Sequence, residues 1–271
     1  MLPRWELARA DTEVRPYVAC WFNKNTCKIK YMNKGLLLVN EGPDGSGKET
    51  QTRLLCDYLA GEGYNLVKFS FPTYKQDPVA DLIRFMLHEA KDDWNTRDWR
   101  SKAVLYASNR LRFAPEMWAA LEVPGNIVVC DRFVSSNQGH MGALAEDPTE
   151  RLQRYAWIDH LEFEMMGLPR PDVVLLHTMP SEMRAALLMK RENGKPDAHE
   201  GNSAYLDLVE QSYYELMDFY PEVWRHIPAD MDGILQTPEE VHERVKQALL
   251  GHQNWIEFAA QKERVATVWE I

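Results

Sequence analysis

One stretch constrains this chain more than any other: LLLVNEGPDGSGKETQTRLL, residues 36–55. An apolar run stops at Asn40-Glu41 and gives way to a glycine-rich turn, Gly42 to Lys48, of the form G-x-x-x-x-G-K. A helical pattern follows at once. A strand, such a turn and a helix in that order bring backbone N–H groups together at a helix N-terminus, where they bind an anion. Gly42, Gly45 and Gly47 allow positive φ and close approach of backbone to a phosphate. The candidate nucleotide-binding residues are therefore Gly42, Pro43, Asp44, Gly45, Ser46, Gly47, Lys48, Glu49 and Thr50, with Lys48 directed at the β- and γ-phosphates.

The rest of the chain repeats the alternation. Leu36–Val39, Leu66–Phe71, NIVVCDR and PDVVLLHT read as strands, and a further short strand is expected within residues 226–235. Helices are expected over 50–61, VADLIRFML, KAVLYASNRLRFAPEMWAAL as one long element, LQRYAWIDHLEFEMMG ending at Gly167, SEMRAALLMKREN, AYLDLVEQSYYELMDFY and TPEEVHERVKQALL. In the last of these, Thr237, Pro238 and Glu240 form a capping signature. Fully apolar strands alternating with helices predict an α/β fold, a parallel central sheet covered on both faces in three α/β/α layers.

Residues 1–33 show no clear period. Met32 precedes the first strand, so residues 1–31 read either as an appendage from an upstream start codon or as an extra hairpin or strand on the domain edge. The expected organisation is an N-terminal extension over 1–33, one domain over 34–250 and a C-terminal helical tail over 251–271.

A net charge of −10 on 271 residues argues against a nonspecific nucleic-acid binder. No run approaches the roughly 20 apolar residues that span a membrane. Cys56 and Cys130 sit in apolar runs and read as core. Cys20 and Cys27 have no matching His/Cys set for a metal, which leaves a disulfide or reduced thiols, and a reducing cytoplasm is the simpler expectation.

Glu49 departs from the usual loop, where a Ser or Thr hydroxyl contacts Mg²⁺. Thr50 does not substitute, because one helical step turns the side chain by about 100°. Glu49 acting through water, the nucleotide oxygens and Asp131 are the alternatives for the metal. Asp131 ends the strand NIVVCD beside the loop, and Arg132 next to it can fork onto a phosphate.

Further motifs identify the acceptor. EGPDGSGKETQ, FPTY, LYASNR, DRFVSSNQGHMGA and KPDAHE occur in the order and spacing of the thymidylate kinases, which this chain resembles over about residues 34–250. The resemblance implies a P-loop NTPase-type fold with a helical lid at about 188–203. It also implies transfer of the ATP γ-phosphoryl to dTMP with Mg²⁺, in a homodimer. Carried over by motif, Asp44 meets the sugar 3′-OH or the acceptor phosphate. Phe71 and Pro72 wall the pocket, and Tyr74 reaches the phosphate or sugar. Tyr106 stacks on the base, and Arg110 donates to its carbonyl and to phosphate. Arg132 clamps the acceptor phosphate. Ser136 and Asn137 follow in the same stretch, with Asn137 at the base edge. His140 crowds the sugar 2′ position. Lys48, Arg132, Asp44 and a lid cation, Arg191 before Lys195, carry catalysis.

Three departures stand out. Met141 replaces a frequent Gln, Ala198 stands where a basic residue is common, and Gly45 where some members have a catalytic Arg. Met141 and Ala198 keep open a kinase for another (deoxy)nucleotide or deoxynucleoside; Glu49 and the sparse lid keep open a catalytically weak nucleotide-binding module.

Overall fold

The computed structural model describes residues 34–190 and 203–268. Residues 1–33, with Cys20 and Cys27, lie outside the described residues, as do Arg191, Lys195, Ala198 and most of the expected lid.

Strand β1 (Leu36–Glu41) is the centre of the molecule, and every one of its residues is buried. It pairs in parallel with β3 (Asn126–Asp131) on one side and β4 (Val173–Thr178) on the other. Strand β2 (Asn65–Ser70) extends the sheet beyond β3, and β5 (Trp224–Pro228) extends it beyond β4. The order is β2-β3-β1-β4-β5, all parallel.

The period of two along each strand builds two cores. Leu37, Val39, Val128, Cys130, Val174 and Leu176 face one side. Leu36, Leu38, Ile127, Val129, Val173 and Leu175 face the other. The apolar runs are unbroken because both faces need covering. The first face is covered by α4 (Trp99–Arg112), α5 (Ala114–Leu121), α6 (Val134–Ala143), α7 (Pro148–Asp159) and α9 (Ser203–Phe219), which places five of the described helices there. The second is covered by α1 (Lys48–Gly61), α10 (Pro238–Leu250) and α11 (Gln253–Val268). Helices α2 (Pro78–His88) and α3 (Lys91–Thr96) form a smaller apolar cluster around Trp94. Helix α8 (Ser181–Lys190) leads towards the expected lid. The parallel register carries Glu41, Ser70, Asp131 and Thr178 to one end of the sheet, where ligands bind in open α/β folds.

Several boundaries differ from the sequence expectation. The long helix predicted over 102–121 breaks at Phe113, whose φ of −102° and ψ of 2° are not helical. Pro115 accounts for the break: in an unbroken helix its ring would collide with the carbonyl four residues back, whereas in the first turn of a new helix it is tolerated. The helix through LQRYAWIDHLEFEMMG loosens into π-helical turns over His160–Met165 before Gly167 ends it at φ 69°. The last strand of the parallel sheet starts at Trp224, and the chain then forms a small hairpin, β6 (Asp230–Met231) with β7 (Ile234–Leu235). The capping box at Thr237 and Glu240 is present, as is the packing of Cys56 and Cys130 in the core. Among the described residues no helix is long and apolar enough to cross a membrane.

The described part of the C-terminal tail belongs to the second core. Trp255 and Phe258 are buried, with ring centroids 5.3 and 6.0 Å from that of Tyr64. Trp255→Ala is expected to cost ~3–5 kcal/mol in urea unfolding. A loss below ~1 kcal/mol would mean that the tail is an ornament rather than part of the domain.

Candidate active site

The glycine-rich turn leaves β1 at Gly42, whose φ is 146°. A Cβ there would lie 2.2 Å from the carbonyl oxygen of His177, so the loop is pressed against the end of β4 and only glycine fits. Gly45, at φ 82°, is similarly overlaid: a Cβ would meet Arg184 Cγ at 2.8 Å and Leu188 Cγ at 2.9 Å. Helix α8 is thus seated directly on the loop. The Ser46 hydroxyl is buried in the loop without a hydrogen-bond partner. Lys48 opens α1 and reaches across to Asp131, with Nζ 2.9 Å from Oδ1. Apart from that ion pair, Oδ1 has no hydrogen bond. Glu49 and Thr50 are exposed on the first turn of α1.

Beneath the loop lies Glu41, a fully buried carboxylate. Its Oε1 accepts from Phe133 N at 2.8 Å, Ser135 Oγ at 2.8 Å and Ser136 N at 3.0 Å. Its Oε2 accepts from Ser136 Oγ at 2.8 Å and Tyr213 OH at 3.1 Å. The turn between β3 and α6 is gathered around this one side chain. Arg132 at the turn adopts a left-handed φ of 65°, and its N–H donates to Asn40 O at 2.9 Å. Its guanidinium donates to Ser136 Oγ at 3.1 Å and to the Asp44 carboxylate of the loop. Burial opposes the arginine's charge, but Asp44, Tyr213, Glu41 and Asp131 outweigh it and raise the pKa further above its ordinary value. The charge is permanent.

Asp44, Phe71, Pro72, Tyr74, Asp131 and Arg132 line a cleft of about 300 Å³, joined by Ser70 and His88. The Phe71–Pro72 peptide is cis. Asn109 pins this wall to α4: Oδ1 accepts from Thr73 N at 3.1 Å, and Nδ2 donates to Thr73 Oγ1 and Asp77 Oδ2, both at 2.7 Å.

The structure therefore gathers the loop, Lys48, Asp131, Arg132 and the FPTY wall. It places the other expected base-contacting residues outside the lining of that cleft. Arg110, expected to reach both base and phosphate, is buried with Nε and Nη2 2.5 and 2.6 Å from the carboxylate of Glu162. Ser136 spends its hydroxyl on Glu41 and Arg132. Asn137 Nδ2 donates to Ala103 O and Glu162 Oε1. Tyr106 meets Trp94 edge-on, 5.9 Å between centroids. His140 Nδ1 lies 3.0 Å from Tyr205 OH at the start of α9.

Sequence reasoning missed Glu41, Asn109 and Glu162. A signal existed for the first two: Glu41 closes an otherwise apolar run, and Asn109 is a poor helix former inside a helix. Among the described residues no group of three or more His, Cys, Asp and Glu side chains could hold a metal. A single carboxylate with spare acceptor capacity, Asp131, suits an ion that takes most of its ligands from phosphate and water.

Comparison with known proteins gives a consistent result. The family profile described as thymidylate kinase matches residues 41–245. A probable thymidylate kinase from Pyrococcus horikoshii is 26% identical over 219 residues, 80% of this chain and 99% of the relative. A thymidylate kinase from Bacillus cytotoxicus is 28% identical over 226 residues, 80% of this chain and 100% of the relative. Among solved structures, a thymidylate kinase from Candida albicans superposes with a TM-score of 0.64 at 22% identity, over 83% of this chain and 95% of that one.

His177, under the loop, is fully buried, with Nε2 2.8 Å from Asn40 Oδ1 and Nδ1 unpaired. Burial, reinforced by Lys48, pushes its pKa down to about 3 from 6.5. Between those values the unfolded chain takes up a proton that the folded chain excludes. Stability is therefore expected to fall as pH drops from 6.5 towards 3, by up to ~1.4 kcal/mol per pH unit from this residue. Denaturation across that range should show a shallower slope in His177→Asn; an unchanged slope would contradict the assignment.

Proposed function

The chain belongs to the thymidylate kinase family, and we propose that its phosphate loop, Lys48 and Arg132 carry the transfer of the ATP γ-phosphoryl to dTMP, giving dTDP and ADP. The observation that carries these assignments is the pairing across the sheet end. Lys48 meets Asp131, and Arg132 meets Asp44 in the same loop; Asp44, Asp131 and Arg132 line one cleft, and Lys48 is tied to that cleft through Asp131.

The loop amides and Lys48 hold the donor phosphates. Arg132 turns the acceptor phosphate towards them, and Asp44 orders Arg132 or meets the sugar. The acceptor phosphate is largely dianionic at neutral pH, its second pKa being about 6, so no general base is needed. One of its oxygens bonds to the γ-phosphorus as the bridge to the β-phosphate breaks, and that bond's electrons leave with ADP. Catalysis comes from alignment and charge neutralisation. Asp131, with Glu49 through water, would hold Mg²⁺, which would supply positive charge to neutralise the transferring phosphates. Arg191, outside the described residues, is assigned the lid charge. Phe71, Pro72 and Tyr74 are assigned to the sugar wall, and Tyr106, Arg110, Ser136, Asn137 and His140 to the base side.

The organisation we propose is the 34–250 domain working as a homodimer in the cytoplasm. Exposed Leu82 and Phe85 on α2 and Val104 and Leu111 on α4 support the first point, and the free buried thiols of Cys56 and Cys130 support the second.

Lys48→Ala and Arg132→Ala are each expected to lower turnover at least ~100-fold with an unchanged circular dichroism spectrum. A near-wild-type rate in either would reject its role. Offered dTMP, dUMP, UMP, dCMP and thymidine, the enzyme should prefer dTMP and leave thymidine untouched.

A further inference from the structure

Glu162 lies in the π-helical turns over His160–Met165 and is fully buried. Its Oε1 accepts from Arg110 Nη2 at 2.6 Å and from Asn137 Nδ2 at 2.8 Å; its Oε2 accepts from Arg110 Nε at 2.5 Å. The other amide hydrogen of Asn137 goes to Ala103 O at 3.0 Å. Both neighbours of Nδ2 are acceptors only, so the Asn137 amide cannot turn over without setting oxygen against oxygen. Its Oδ1 is fixed on the opposite side, buried and without any donor. Leaving a buried carbonyl oxygen unmatched is unfavourable, and a ligand N–H placed against it removes the penalty. On Arg110, Glu162 occupies Nε and Nη2 and leaves Nη1 for another acceptor.

One carboxylate thus holds a fixed acceptor, Asn137 Oδ1, and a fixed donor, Arg110 Nη1. We propose that Glu162 is the positioning residue for base selection: it locks Asn137 and Arg110 into the pattern complementary to a pyrimidine imide edge, N–H beside C=O. Thymine and uracil present that edge at N3–H and the 4-carbonyl. Cytosine presents an acceptor at N3 and an amino donor beside it, a mismatch at both contacts. The proposal rests on the assignment of Arg110 and Asn137 to the base side above. A purely structural role, tying α4 to α6 and α7, would stabilise the fold without affecting the choice of base.

The test is steady-state kinetics of Glu162→Gln in the full chain, with dTMP and dCMP as acceptors at saturating ATP. A glutamine supplies one oxygen and one amino group, which releases the Asn137 amide to turn over. Expected are a KM for dTMP raised at least 10-fold, kcat and the KM for ATP within about 3-fold of wild type, and a dTMP-to-dCMP ratio of kcat/KM reduced at least 10-fold. Glu162→Asp, which keeps the charge, should retain most of that ratio. If Glu162→Gln does not fold, the wild-type enzyme with the N3-methylated analogue of dTMP serves instead, and a loss of at least 10-fold is expected. An unchanged base ratio in Glu162→Gln, or equal use of the N3-methyl analogue, overturns the proposal while the enzyme still phosphorylates dTMP. Failure of the wild-type enzyme to use dTMP would overturn the acceptor assignment itself, and the proposal with it.

Discussion

The site depends on a charge buried below it. Glu41 sits at the end of the central strand, sealed from water, and five donors converge on its two oxygens. Burying a carboxylate costs several kcal/mol unless its hydrogen-bonding capacity is filled. Here that requirement dictates the path of the chain after β3: Phe133, Ser135 and Ser136 must all turn inwards, and Arg132 takes up the left-handed backbone that lets them do so. An L-residue avoids that conformation when free. The arginine is held where it meets Asp44 because its neighbours are held on Glu41.

The arrangement explains the electrostatics around the loop. Each cation has its own carboxylate, Lys48 with Asp131 and Arg132 with Asp44, while His177 stays neutral beneath them. Under the proposed function an arriving phosphate would share cations that are already placed, so little reorganisation would be needed as charge shifts between donor and acceptor. The packing at Gly45 belongs to the same picture. Arg184 and Leu188 occupy the space that any side chain there would need, and Arg184 is itself tied to Glu210 at 2.7 Å and to Asp207 on α9. An arginine at position 45 has no room.

Much of this was legible in the sequence. The strands were readable because each is a short apolar run with a turn on both sides, and the loop because glycine, lysine and helix start fall at fixed offsets. The carboxyl-end position of Asp131 and Arg132 followed from the strand that precedes them. The break at Phe113 was also available in principle, since Pro115 announces it. What the sequence hid were long-range partners. Glu41 lies more than 90 residues from the serines it binds, Asn109 lies 36 from Thr73, and Glu162 lies 52 from Arg110. A carboxylate that ends a strand or sits in a helix looks the same in one dimension whether it faces water or gathers buried donors. Arg110 shows the consequence: its side chain read as a free donor, and its main partner is an acid from a distant helix.

The central claim is that the buried negative charge of Glu41 fixes Arg132 in working position. Its most direct test is kcat/KM for dTMP in Glu41→Gln, which keeps the side-chain shape but removes the charge and turns one acceptor into a donor. The account predicts a loss of at least ~100-fold, equivalent to ~2.7 kcal/mol of transition-state stabilisation, in protein whose sheet is intact by circular dichroism. A rate within about 3-fold of wild type would contradict it.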